Sequence, residues 1–130
     1  MRGLFIAGTD TGVGKTWVTG YLARYLAEQG HGVVTQKWVQ SGQEAVSDLE
    51  MHRQIMGETY VPGGYDERDC CPYAFKLPAS PHLSAAQEGE RIEENRIYEA
   101  FGRLSMRADF VLVEGSGGLM VPFRSEEHTS

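Results

Sequence analysis

Cysteine is nearly absent: the chain has two, Cys70 and Cys71, and they are adjacent. Neighbouring cysteines rarely close a relaxed disulfide, and they lack the spacing of metal ligands. Free thiols in a reducing compartment are therefore expected. Basic charge is also scarce, and a formal net charge of −6 argues against a surface that wraps nucleic acid. No apolar run approaches the length of a membrane span. The short apolar stretch within residues 1–7 runs straight into a glycine-rich segment and is too short for a signal peptide, so none is expected there. We therefore expect a cytoplasmic protein with neither nucleic acid nor membrane as partner. Repeats, low-complexity tracts and linkers are missing too. The chain has 130 residues, 41% of them apolar and 23% charged, and reads as one globular domain with a core of its own.

What is present begins at once. Leu4-Phe5-Ile6-Ala7 reads as a buried strand, and Gly8-Thr9-Asp10-Thr11-Gly12-Val13-Gly14-Lys15-Thr16 follows it as a phosphate-binding loop. Backbone amides of such a loop, aimed by a helix N-terminus, hold the phosphates of a nucleotide. Lys15 can reach the β and γ phosphates, and the Thr16 hydroxyl can ligate Mg²⁺. The first glycine is displaced by one place, so the loop reads G-x5-G-K-T.

A helix is expected from Lys15 to about Gln29, with Val18, Leu22, Tyr25 and Leu26 as its sheet-facing stripe. Gly30 ends it. A second strand over 32–39 completes a βαβ unit and carries Lys37 near its C-terminal end, the edge where ligands collect in open α/β sheets. Ser47 caps a helix running to Met56, residues 57–72 read as loop, and Ser80-Pro81 opens a short helix to Gln87. Asn95 is expected to cap another, with Ile97, Phe101 and Leu104 on one face. The apolar strand Phe110-Val111-Leu112-Val113 then closes on Glu114, and Gly115-Ser116-Gly117-Gly118 follows. The fold class is α/β: a parallel sheet flanked by helices.

An apolar strand ending in an acid downstream of a phosphate loop is the Walker B arrangement, placing Glu114 where it can hold Mg²⁺ or its waters. Lys37 at the ligand edge suits a phosphate role, and Asp48 suits a second metal-side carboxylate. GTPases need an Asn-Lys-x-Asp base reader, which does not occur. Partitioning ATPases place a second lysine in the loop where this chain has Asp10.

Beyond the loop, Lys37-Trp38-Val39-Gln40-Ser41-Gly42, Ser47-Asp48, the segment Pro78 to Ala86 and Val113-Glu114-Gly115-Ser116-Gly117-Gly118-Leu119 follow in order. Together these segments resemble the dethiobiotin synthetase family, with Trp38 where that family usually has proline. The resemblance implies ATP- and Mg²⁺-dependent ring closure of 7,8-diaminononanoate with CO₂, by a protein that is a homodimer at full length. It implies that Gly12, Val13, Gly14, Lys15, Thr16 and Trp17, with Asp48, Glu114, Gly115, Ser116 and Gly117, contact the nucleotide. It further implies that Thr16, Asp48 and Glu114 hold the metal, that Thr11 and Ser41 touch substrate, and that Lys37 is the catalytic cation. His82 lies in a family-like segment, but a helix start explains it. A regulatory ATPase or nucleotide switch is the alternative.

The resemblance stops near Phe123, so residues 1–123 are expected to be the N-terminal part of a single P-loop domain, inactive by itself. Residues 124–130, Arg-Ser-Glu-Glu-His-Thr-Ser, match the in-frame translation of a common sequencing-adapter string and are expected to be non-native.

Overall fold

The structure, a computed structural model, describes residues 2–6, 13–43 and 45–115. The expected contributions of Thr11, Gly12, Ser116 and Gly117, and of the segment 124–130, fall outside these residues. Strand β1 (Arg2–Ile6) precedes helix α1 (Val13–Glu28), then β2 (Val33–Lys37) and β3 (Val39–Ser41). Helix α2 (Asp48–Met56), a 3₁₀ turn (Gly57–Thr59) and the short α3 (Glu67–Cys70) come next. The chain goes on through β4 (Tyr73–Phe75), α4 (Pro81–Gln87), α5 (Glu94–Ser105) and β5 (Phe110–Glu114). Strands β1, β5 and β2 form a parallel sheet in that order, and β3 pairs with β4 in a separate parallel ladder.

Strand β5 is central, and helices cover both of its faces. This is why it reads as an unbroken apolar run rather than an alternation. Val111 and Val113 belong to the cluster built with Ile97 and Leu104 of α5. Phe110 and Leu112 turn to the opposite face, with Ala23 of α1 and Met56 of α2. Period-two alternation then puts Glu114 on the α1/α2 face. In-register pairing sets Lys37 of β2 directly beside it.

Several boundaries differ from expectation. The second strand ends at Lys37, because Trp38 turns into the core, 2% exposed, with its indole N–H donating to the Gln36 side chain at 3.1 Å. Beyond Trp38 the chain leaves the main sheet and pairs with β4, a strand the sequence did not suggest. Segment 57–72 is not all loop, since Asp66 caps α3 by accepting from the Arg68 amide. Helix α5 starts before Asn95, with Glu93 at its N-cap. Ser80 precedes α4 as expected but makes no side-chain capping bond.

The apolar stripe expected on α1 holds in part: Leu22 and Leu26 pack half-buried against the core, but its other two members do not. Val18 and Tyr25 are 55% and 58% exposed, whereas Thr16, Thr19 and Ala23 are buried. Small side chains face inward because α1 approaches α2 closely at Gly20. A Cβ built there would lie 2.7 Å from Ile55 Cδ1 and 3.0 Å from its Cβ. Gly20→Val should therefore destabilise the fold by about 1–3 kcal/mol, read as a lowered urea midpoint. A midpoint at or above wild type would show that the helices separate freely.

Both cysteines are free. Burial pushes the Cys70 thiol up to about 11, so it packs as an inert thiol rather than a nucleophile.

Candidate functional site

Four elements deliver side chains to one site at the C-terminal edge of β2 and β5. The first turns of α1 supply Lys15 and Thr16. The strand ends supply Lys37 and Glu114. Helix α2 supplies Asp48 and, one turn on, His52, both on the inward side with Leu49 and Met56. The start of α2 is fixed twice. The Ser47 hydroxyl accepts from the Glu50 amide at 3.2 Å, and the Asp48 amide donates to the Gln40 side chain at 3.3 Å.

Lys37 Nζ lies 2.9 Å from Asp48 Oδ2 and 3.0 Å from Glu114 Oε2. The Thr16 hydroxyl donates to the same Glu114 oxygen at 3.2 Å. Both lysines approach one carbonyl: Lys15 Nζ is 3.4 Å and Lys37 Nζ 3.5 Å from the Gly115 oxygen. Glu114 Oε1 turns instead to His52 Nε2 at 2.8 Å.

Burial opposes charge on both central groups, and their partners override it. Burial would lower the Lys37 pKa, but Glu114 and Asp48 raise it above its ordinary value, so the ammonium stays charged. Burial would raise Glu114, yet the His52 hydrogen bond and the Lys37 charge bring it down to about 2. Lys37 is consequently a fixed cation and not a proton acceptor.

The structure thus brings together Lys15, Thr16, Lys37, Asp48, Glu114 and Gly115. Gly14 is exposed in the first turn of α1, with nothing within 4 Å of a built Cβ. Val13 begins that helix. Trp17 is not part of the cluster: it is 44% exposed and packs on Tyr21 with ring centroids 5.7 Å apart. Ser41 stands at the end of β3 opposite Phe75, half-buried. His82 is exposed on α4, away from any bond to the cluster among the described residues. An all-oxygen set of one hydroxyl and two carboxylates matches a hard divalent cation that keeps water and phosphate as its other ligands. Among the described residues no group of three His, Cys, Asp or Glu side chains could hold a metal unaided.

Sequence reasoning missed His52 and its partner Thr35. The available signal was spacing: His52 is one helical turn past Asp48, in phase with Leu49 and Met56.

A family model described as an AAA domain matches residues 2–130. The chain is 44% identical over 127 residues to the ATP-dependent dethiobiotin synthetase BioD 2 of Haemophilus influenzae, covering 97% of this chain and 66% of that protein. It is 48% identical over 124 residues to the ATP-dependent dethiobiotin synthetase BioD of Chlorobaculum tepidum, covering 95% and 52%. Against the protein of the same name from Anoxybacillus flavithermus it is 38% identical over 128 residues, covering 94% and 54%. The chain therefore spans between half and two thirds of the length of these relatives. The family model over residues 2–130 shows that the chain belongs to the AAA domain family, and nearly its whole length is similar to part of proteins named dethiobiotin synthetases.

Proposed function

We propose that this chain carries the phosphate-side half of an ATP-dependent dethiobiotin synthetase, which closes the ureido ring of dethiobiotin from 7,8-diaminononanoate and CO₂. The observation that carries this reading is the convergence of the Lys15 and Lys37 ammoniums on the Gly115 carbonyl, 3.4 and 3.5 Å away, beside Glu114 and Asp48. Two cations meeting at a strand end beyond a phosphate loop suit a reaction that joins two anions.

One amine of the substrate takes up CO₂ as a carbamate, and a carbamate oxygen attacks the γ-phosphorus as the bond to ADP breaks. The second amine then attacks the carbamate carbon, phosphate leaves, and the amine protons pass to solvent. Lys37 neutralises charge on the transferring phosphoryl group, where its effect is largest in a water-poor site. Lys15 holds the phosphates with the amides of Gly12, Val13 and Gly14, and Thr11 and Ser41 contact the diamine side. Thr16, Asp48 and Glu114 would hold Mg²⁺, which supplies further charge neutralisation at the phosphates. Trp17 and the run Gly115, Ser116 and Gly117 border the nucleotide. The working protein is cytoplasmic and homodimeric in this reading. Among the described residues no helix is long and apolar enough to cross a membrane.

The test is phosphate release from ATP by a chain extended to the length of its relatives, with bicarbonate, with and without the diamine. Diamine-dependent release with stoichiometric dethiobiotin is the expected result. Turnover indifferent to the diamine would favour a nucleotide switch instead.

A further inference from the structure

Glu114 presents its two oxygens to different neighbours. Oε2 meets the cationic side, accepting from Lys37 and Thr16. Oε1 meets His52 Nε2 at 2.8 Å, while His52 Nδ1 lies 2.9 Å from the Thr35 hydroxyl. A carboxylate only accepts, so Nε2 carries a proton, and in the neutral imidazole the Thr35 hydroxyl then donates to Nδ1. The imidazole is fully enclosed, and Thr35 is buried beside it.

We propose that His52 is a positioning residue for Glu114: hydrogen-bonded to Thr35 in its Nε2–H tautomer, it pins Oε1 inward and leaves Oε2 alone for the nucleotide side. This deepens the reading above and rests on Glu114 being the acid of that site.

The division of labour follows from what each donor must do. Lys37 is shared between Asp48 and Glu114, and a bound phosphate competes for the same ammonium. As Lys37 turns toward phosphate, its hold on Glu114 weakens. A buried carboxylate that loses a donor rotates or takes up a proton unless another donor stays. His52 stays, because both its nitrogens are committed and no solvent reaches them. Hydrogen-bonded partners of this kind fix the orientation of a metal-side carboxylate, and losing one costs about 10–100-fold in metal affinity.

The decisive experiment titrates Mn²⁺ into the protein with ADP present, following bound metal by electron paramagnetic resonance, and measures metal-free ADP binding by calorimetry. His52→Leu should weaken Mn²⁺ by at least about tenfold and leave metal-free ADP binding unchanged. His52→Gln, whose amide can still donate to Oε1, should recover most of the loss. Unchanged Mn²⁺ affinity in His52→Leu would overturn the proposal, and so would an equal loss of ADP, which would mark a packing role. Imidazole ¹⁵N spectra of the unliganded wild type decide independently of any nucleotide. A protonated Nε2 beside an unprotonated Nδ1 is expected, and Thr35→Val, which removes the donor to Nδ1, should shift the Nδ1 resonance while Glu114 keeps the proton on Nε2. The opposite tautomer, or no effect of Thr35→Val, refutes the proposal. A wild type that binds neither ADP nor Mn²⁺ would instead remove the proposed function, while these spectra would still judge the positioning.

Discussion

Lys37→Ala should lower ring-closing turnover by about 10²–10³-fold in a chain of the relatives' length, while the affinity for Mg²⁺·ATP changes little. The asymmetry follows from where the ammonium sits. Lys37 bridges Asp48 and Glu114 at 2.9 and 3.0 Å, with the Gly115 carbonyl 3.5 Å away. Removing it deletes a cation near the phosphates, which weakens their binding. It also leaves two carboxylates without their shared counter-ion, which favours a divalent cation and so strengthens binding of the metal complex. These effects oppose each other in the ground state. In the proposed reaction nothing offsets the loss where charge moves during phosphoryl transfer, so kcat carries the penalty. Lys37→Arg keeps the charge but brings a planar fork in place of a compact ammonium, and should restore only part of the rate. Steady-state phosphate release and fluorescent-nucleotide titration measure the two quantities separately. A parallel fall in both would show Lys37 to be a binding contact only.

Much of this site was legible before any coordinates. The lysine at the end of the second strand and the acid closing the apolar strand each announce their place by element and by strand edge. The pairing of Lys37 with Glu114 was not legible, because the order of the strands in the sheet is what sets the two side by side. Other features were hidden for physical reasons. The face of α1 was read only in part, Leu22 and Leu26 rightly and Val18 and Tyr25 not, because hydrophobic periodicity favours large side chains while close helix contact at Gly20 selects small ones. The break at Trp38 was hidden because a β-rich run of residues does not reveal that one indole leaves the sheet to enter the core. His52 was passed over because a lone histidine on a helix signals nothing until its two partners, on β2 and β5, are known to converge on it.

Acid should act on the molecule at Glu114 more than at a surface carboxylate. Its side chain is 2% exposed. Burial by itself would favour the protonated form, but the His52 hydrogen bond and the Lys37 ammonium win, taking the pKa from 4.5 down to about 2. A carboxylate whose pKa is depressed on folding stabilises the native state fully above its unfolded value and loses that contribution as pH falls through the folded one. The window is therefore pH 4.5 to about 2. Glu114→Gln tests this directly. At neutral pH it leaves a buried ammonium with Asp48 as its remaining carboxylate, a loss of about 3–5 kcal/mol for a broken buried pair. As pH falls through the window the wild type surrenders the same charge, so the urea midpoints of the two proteins should converge. A gap that stays constant down to the lower edge would mean that Glu114 stabilises the fold through shape and hydrogen bonds alone. In that case the ionised pair with Lys37 would be a feature kept for the chemistry of the site, at no gain in stability.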